Sequence, residues 1–153
     1  VMGGELQRGA NGFAGEIGHM VVQHDGEMCV CGRRGCWERY ASGSALRMLS
    51  GGMSGEEVFA EASSGDSHAQ SVVATFADWV AVGLASLTNI CDPEVIVIGG
   101  GVVQSFEFVL ESVSKSFSAA LYSSESRPHP ALHVAALGER AGAIGCALFM
   151  TQG

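Results

Sequence analysis

Three cysteines lie within eight residues, in the segment CVCGRRGCWE, and they constrain this 153-residue chain more than any other feature. Cys29, Cys31 and Cys36 follow His19, which lies ten residues before the first of them. Thiolate sulfur and imidazole nitrogen are ligands of tetrahedral Zn²⁺, and a closed structural site takes four of them. The two glycines between the last two cysteines allow the tight turns that bring neighbouring thiolates to one ion. The sequence therefore predicts a zinc site.

Other uses of the cysteines fit the pattern less well. A disulfide would leave one of the three thiols over, and the spacing of Cys29 and Cys31 differs from the C-x-x-C of redox motifs. Another soft metal, or cysteines without a shared role, remain the alternatives. The two remaining cysteines, Cys91 and Cys146, fall in apolar helical patterns, and we expect them to be small buried residues.

Charge and composition exclude some classes of partner. The net charge is −8, from 16 acidic and 8 basic residues, and the chain contains a single lysine. Because nucleic-acid surfaces need clustered lysine and arginine, we expect no nucleic acid to bind this chain. The start, VMGGELQRG, lacks the pattern of a signal peptide, and no apolar run approaches the ~20 residues of a membrane span. We therefore expect a cytoplasmic globular domain and no membrane partner.

The second half of the chain alternates helical and strand patterns. Ser54-x-x-Glu57 is a capping box, and Asp66 is placed to cap a long helix that ends at Pro93. The β-branched run Val95–Ile98 predicts a strand buried on both faces, and residues 132–137 predict another. Amphipathic helices are expected between these strands and over residues 140–150. This order indicates a parallel α/β arrangement.

A glycine triplet, Gly99, Gly100 and Gly101, directly follows the first of these predicted strands. Ligands of α/β proteins bind at the carboxyl ends of strands, and glycine lets backbone N–H groups approach a phosphate. The triplet matches neither of the common glycine-rich phosphate motifs, so an ordinary turn is an equal alternative.

Two glutamates flank the predicted metal ligands: Glu16 precedes His19 by three residues, and Glu38 follows Cys36 by two. Loop glutamates are usually solvated and have no binding role. A zinc ion that holds both segments would, however, fix the two carboxylates, and fixed carboxylates accept hydrogen bonds from sugar hydroxyls. We therefore expect a sugar ligand here.

The segments RGANGFAGEIGH, CVCGRRGCWERYASGSAL, VIVIGGGV and LGERAGAIGCAL together cover most of the motifs described above. They resemble the carboxyl-terminal lobe of the ROK family (repressors, open reading frames and kinases), and especially its actinobacterial ATP-dependent glucokinases. The resemblance implies an actin-like, ribonuclease-H-like α/β ATPase lobe with a zinc-binding loop at about residues 19–38. Residues 1–153 would form this lobe without its first strand, and the amino-terminal lobe would be absent.

The resemblance also implies roles for individual residues. The complete enzyme would use Mg²⁺ and ATP to phosphorylate the 6-hydroxyl of glucose. Its catalytic Asp would lie upstream of Val1, so this chain would hold no catalytic residue and be inactive alone. The family commonly forms homo-oligomers. The implied structural zinc ligands are His19, Cys29, Cys31 and Cys36, the sugar-binding residues are Glu16, His19 and Glu38, and the nucleotide-facing residues are Gly99, Gly100 and Gly101.

Three alternatives remain open from the sequence. The chain could be the effector domain of a ROK transcriptional repressor, which would carry a helix-turn-helix upstream. It could belong to a kinase for another hexose, such as fructose, mannose or an N-acetylhexosamine. It could also be a stand-alone zinc-stabilised module that binds sugar without turnover.

Overall fold

The computed structural model describes residues 1–100 and 106–150. Within these ranges five α-helices and two strands follow a long amino-terminal region of turns. The predicted alternation of helix and strand in the second half is present. The elements are α1 (Gly43–Leu49), α2 (Gly55–Ser64), α3 (Ser67–Cys91), β1 (Val95–Ile98), α4 (Phe106–Ala120), β2 (Ala131–Val134) and α5 (Ala141–Met150).

The predicted helix caps are confirmed. The Ser54 hydroxyl accepts a hydrogen bond from the Glu57 backbone N–H, and the Glu57 carboxylate accepts one from the Ser54 N–H. The bond from the Ser54 N–H to the carboxylate lowers the pKa of Glu57, because it favours the ionised form. At the start of α3, the Asp66 carboxylate accepts from the Ala69 N–H. Each cap satisfies a backbone donor that the first turn of a helix leaves unpaired.

Helix α3 is the centre of the core and packs against α1, α2 and α4. Its buried positions recur at three- and four-residue spacing, which gives it a continuous apolar face. By length and composition this helix alone, among those described, could cross a membrane. More than half of its most apolar stretch is buried within the protein, as is usual for the core helix of a domain.

The two strands β1 and β2 pair in parallel, with Val95 opposite Ala131 and Ile98 opposite Val134. This arrangement confirms the parallel α/β prediction. The expectation that β1 is buried on both faces was wrong for this chain. Ile96 and Ile98 pack against the helical core, whereas Val95 and Val97 are exposed. Only one face of the sheet is covered within the described residues.

The burial predicted for the two isolated cysteines was also wrong. Cys91 ends α3 and Cys146 lies in α5, and both are exposed. Their helical patterns were read correctly, but an apolar sequence alone does not say which side of a helix a neighbour covers. In α5, Leu148 is exposed as well.

Replacement of Phe117 tests the packing of α4 on α3. Phe117 is 2% exposed within the apolar cluster, whereas Phe13 is 79% exposed in the amino-terminal region. We predict that Phe117→Ala lowers the free energy of unfolding by about 3–5 kcal/mol, because it removes buried surface and leaves a cavity. Phe13→Ala should change it by no more than about 0.5 kcal/mol. Urea unfolding followed by circular dichroism measures both, and equal effects would contradict this description of the core.

Candidate functional site

The site is built from two short 3-10 turns and the loop between them. Ile17–His19 and Trp37–Arg39 form the turns and contact each other. The Trp37 backbone N–H donates to the Met20 carbonyl at 2.8 Å, which joins the two ends of the loop. Nearer the middle of the loop, the Val22 N–H donates to the Gly35 carbonyl at 2.9 Å and joins its two sides. These hydrogen bonds bring His19 next to the cysteine segment.

The four predicted metal ligands converge. One ligand atom from each of them lies within 4.8 Å of all the others. Nδ1 of His19 is 3.7 Å from Sγ of Cys29, and Sγ of Cys31 is 3.5 Å from Sγ of Cys36. Zinc–sulfur bonds of about 2.3 Å at tetrahedral angles separate two sulfurs by roughly 3.8 Å. The spacing and the donor set therefore fit a closed four-ligand site for a soft or borderline divalent ion.

Two of the thiols have pKa values shifted in opposite directions. The Arg33 backbone N–H, followed by the Cys36 thiol, hydrogen-bonds to the sulfur of Cys31 and lowers its pKa to about 6. Burial raises the pKa of Cys36 to about 11, with further contributions from its bonds to Cys31 and Cys29. A metal ion binds the deprotonated form of every ligand, so its binding would release the proton held by Cys36.

The predicted sugar-binding carboxylates lie on either side of His19. An oxygen of Glu16 is 3.9 Å from Nε2 of His19, and an oxygen of Glu38 is 3.9 Å from Nδ1. Both glutamates are exposed, whereas His19 is partly buried. The carboxylates thus present acceptor oxygens to solvent around one imidazole, an arrangement that can receive several hydroxyl groups of one ligand.

Sequence reasoning missed the residues that attach this loop to the core. Trp37 donates a 2.6 Å hydrogen bond from Nε1 to the Trp79 carbonyl of α3, and its ring covers Gly83. The Tyr40 ring stacks on Trp79, with centroids 4.4 Å apart, and its hydroxyl accepts from the Glu27 N–H. A glycine inside a helical pattern was the available signal, since it often marks a close packing contact.

The predicted nucleotide-facing turn lies at the end of β1. Gly99 and Gly100 are exposed, and Gly100 has φ +115°, a conformation that favours glycine. Gly101 lies outside the described residues. A cavity of about 300 Å³ reaches from Ile17 and Trp37 to Gly99, with an apolar wall from α3 and β1. A larger cavity of about 600 Å³ between α4 and β2 shares no lining residue with the site.

Comparison with protein families matches residues 1–153, the whole chain, to the ROK family. The chain belongs to the ROK family. It is 32% identical to a glucokinase of Streptomyces coelicolor over 96% of the chain and 53% of the relative, and 30% identical to the xylose repressor of Bacillus subtilis over 95% of the chain and 38% of the relative.

Among solved structures, a ROK glucokinase of Streptomyces griseus in complex with glucose and AMPPNP superposes with a TM-score of 0.94. It is 36% identical, and the alignment covers 100% of this chain and 56% of that one. The fold is therefore that of the matching part of a ROK glucokinase, in agreement with the resemblance found in the sequence. The chain spans about half the length of the glucokinases that it matches.

Two glycines of the loop give a matched test of its geometry. Gly32 and Gly35 have φ +84° and +78°, but only a methyl group at Gly35 would overlap the Gln23 carbonyl oxygen. We predict that Gly32→Ala costs about 1–2 kcal/mol, because alanine disfavours this backbone region. Gly35→Ala should cost more and should increase hydrogen exchange at the Val22 N–H, which donates to the Gly35 carbonyl. Chemical unfolding and amide exchange provide the measurements, and equal costs would argue against the close approach at Gly35.

Proposed function

We propose that the chain is the sugar-binding and nucleotide-facing lobe of an ATP-dependent glucokinase. The observation that carries the proposal is the convergence of Glu16 and Glu38 on His19 beside the four-ligand cluster. Similarity to a glucokinase over nearly the whole chain, and to a ROK glucokinase structure that holds glucose and AMPPNP, supports it.

In this proposal the three polar side chains recognise the hydroxyl groups of the sugar. The carboxylates of Glu16 and Glu38 accept hydrogen bonds, and His19 offers a ring nitrogen to the same ligand. The turn at Gly99 and Gly100 faces the nucleotide from the end of β1. The glucose 6-hydroxyl attacks the γ-phosphorus of Mg-ATP, its proton passes to a carboxylate base, and ADP leaves. Positioning and neutralisation of charge provide most of the catalysis.

The metal in this proposal is a structural Zn²⁺, held by the cysteine cluster. His19, Cys29, Cys31 and Cys36 would supply all four ligands of a tetrahedral site, which would leave no position for a reacting water. The zinc would instead fix the loop that carries the sugar ligands. Little of this loop is covered by the apolar core, and structural zinc contributes on the order of 10 kcal/mol in small motifs.

The catalytic base belongs, in our proposal, to an amino-terminal lobe that this chain does not contain. The exposed face of β1, at Val95 and Val97, supports the idea that a further strand and lobe pack here in the complete protein. The chain also spans only about half of the glucokinases it matches. The 153-residue chain alone would then bind sugar but not phosphorylate it.

A repressor effector domain is the second candidate, and the similarity to a xylose repressor supports it. Three sequence segments favour the kinase: the RGANG loop, the YASG segment after Glu38 and the glycine triplet. The alignment with the glucokinase is also longer than that with the xylose repressor, 169 residues against 149. The coding sequence upstream of this chain separates the two. A D-x-G-x-T phosphate motif there would support the kinase, and a helix-turn-helix would support the repressor.

Removal of one ligand tests the zinc assignment. We predict about one equivalent of zinc per purified wild-type chain, and less than about 0.2 in Cys31→Ser, because three ligands leave an open and weaker site. Cys91→Ser is the matched control, since Cys91 is exposed at the end of α3 and should leave the zinc content unchanged. Elemental analysis by mass spectrometry measures the metal. Metal-free wild-type protein with an ordered loop would contradict the assignment.

The kinase assignment is tested by coupled ADP release with the complete gene product and Mg-ATP. We predict that glucose is the best substrate among glucose, mannose, fructose and N-acetylglucosamine. Glu38→Gln should lower kcat/KM for glucose about 10- to 100-fold, since a hydrogen bond to a charged group contributes about 1.5–3 kcal/mol. Glu61→Gln, on α2, should have no more than about a twofold effect.

Several results would overturn parts of this assignment. Equal turnover of fructose or N-acetylglucosamine would remove the preference for glucose. Sugar phosphorylation by the isolated 153-residue chain would show that no further lobe is needed. Absence of turnover with every hexose would reject the kinase and favour the repressor or a binding module.

A further inference from the structure

Trp37 lies between a proposed zinc ligand and a proposed sugar ligand, Cys36 and Glu38, in the 3-10 turn Trp37–Arg39. Because it is adjacent to both along the chain, any change in its backbone position moves both. Its own N–H donates to the Met20 carbonyl, next to His19. Trp37 therefore connects the two segments from which the site is assembled.

The side chain of Trp37 attaches these two segments to helix α3. Nε1 donates to the Trp79 carbonyl at 2.6 Å, and the six-membered ring lies directly on Gly83, one helical turn further on. A methyl group at Gly83 would overlap Cδ2, Cε2 and Cζ2 of the indole. The indole thus meets α3 through both a directional hydrogen bond and a fitted surface.

A glycine at position 83 destabilises α3 relative to alanine, and the contact with the indole explains why glycine is needed there. Glycine in a helix interior is less favourable than alanine by about 1 kcal/mol. Gly83 is buried, so an alanine there would also bury apolar surface if space were available. The indole occupies that space. Because Gly83 has no side chain, the indole lies directly on the helix backbone, and this contact sets the distance between the turn Trp37–Arg39 and α3.

The same helix also forms one wall of the cavity that reaches Gly99. Phe76, Val80 and Leu84 of α3 line it, together with Trp37 and the end of β1. Ile98, directly before Gly99, packs against the same helical core, so a turn held at a fixed distance from α3 is also held at a fixed distance from Gly99. This relation matters for a reaction in which sugar and nucleotide must meet, because a misplacement of about 1 Å can cost on the order of 100-fold in rate.

We propose that Trp37 is a positioning residue, which acts with Gly83 to fix the sugar carboxylate Glu38 relative to α3 and the glycine turn. This inference rests on the proposed sugar-kinase function. In this proposal the orientation of Glu38 depends on the aromatic contact of Trp37 with α3 as well as on the metal ligands. The four metal ligands would hold the loop together, and the indole would place the loop on the helical core.

Three variants of the complete gene product test the proposal. Trp37→Phe removes the N–H donor and the outer ring atoms, and should raise KM for glucose about tenfold with about one zinc equivalent retained. Gly83→Ala should raise KM at least as much, because its methyl group displaces the indole. In the double variant the smaller ring leaves room for the methyl group, so the combined rise should be less than the product of the two. Gly145→Ala is the matched control, since a methyl group at this helical glycine meets no atom within 4 Å.

Zinc content and the thermal unfolding midpoint are measured on the same samples. Unchanged KM in Trp37→Phe with a lower unfolding midpoint would show a purely structural role and overturn the proposal. Loss of zinc in step with the rise in KM would also overturn it, because the effect would then pass through the metal. A fully multiplicative double variant would show that the indole and Gly83 act separately. If the wild-type protein turns over no hexose, the proposed function fails first, and the positioning role fails with it.

Discussion

The packing of α3 is the interaction on which the rest of the molecule depends. This 25-residue helix contacts three other helices and receives the indole of Trp37 on one side. The site segments contain few residues of the apolar cluster, and their internal order comes from hydrogen bonds between backbone groups. Such a loop has little burial to offset its conformational entropy. Its position is therefore defined by what it is attached to.

Two attachments of different character meet in the turn Trp37–Arg39. Cys36, directly before the turn, converges with His19 in the ligand cluster, and the aromatic contacts of Trp37 and Tyr40 join the turn to α3. A metal site constrains the distances among its ligands but does not fix their orientation towards the core. The aromatic contacts provide that second constraint, since the hydrogen bond to the Trp79 carbonyl sets the direction of the indole and the close contact with Gly83 sets its distance from α3.

The sequence predicted the parts of the structure that local chemistry determines. Ser54 and Asp66 cap helices because their oxygens lie three residues before a free N–H, and this spacing is visible in the sequence. The ligand cluster was predictable for a similar reason, since the number and type of its donors match one class of ion. The position of Glu38 beside His19 followed from its distance along the chain to a ligand.

Features that depend on distant contacts were harder to predict. The run Val95–Ile98 was correctly read as a parallel strand, but its composition gave no information on whether both faces are covered. Cys91 and Cys146 were misjudged for the same reason. The contact of Trp37 with Gly83 joins residues 46 positions apart, and neither residue type specifies a partner. Periodicity reports the apolar face of an element, whereas the identity of the surface that covers it is a property of the whole fold.

The uncovered surfaces and the exposed site have a common physical explanation in our proposal. Glu16 and Glu38 are 71% and 49% exposed, so solvent competes for every hydrogen bond they could make to a sugar. Hydrogen bonds to charged groups strengthen when water is excluded from around them. A second lobe that packs on the exposed face of β1 would lie next to the cavity between Trp37 and Gly99 and would exclude water from it. The same closure would favour attack by the sugar hydroxyl over attack by water. The exposed face of the sheet and the open site would then both be covered by that one lobe, and binding by this chain alone should be weaker than binding with the lobe in place.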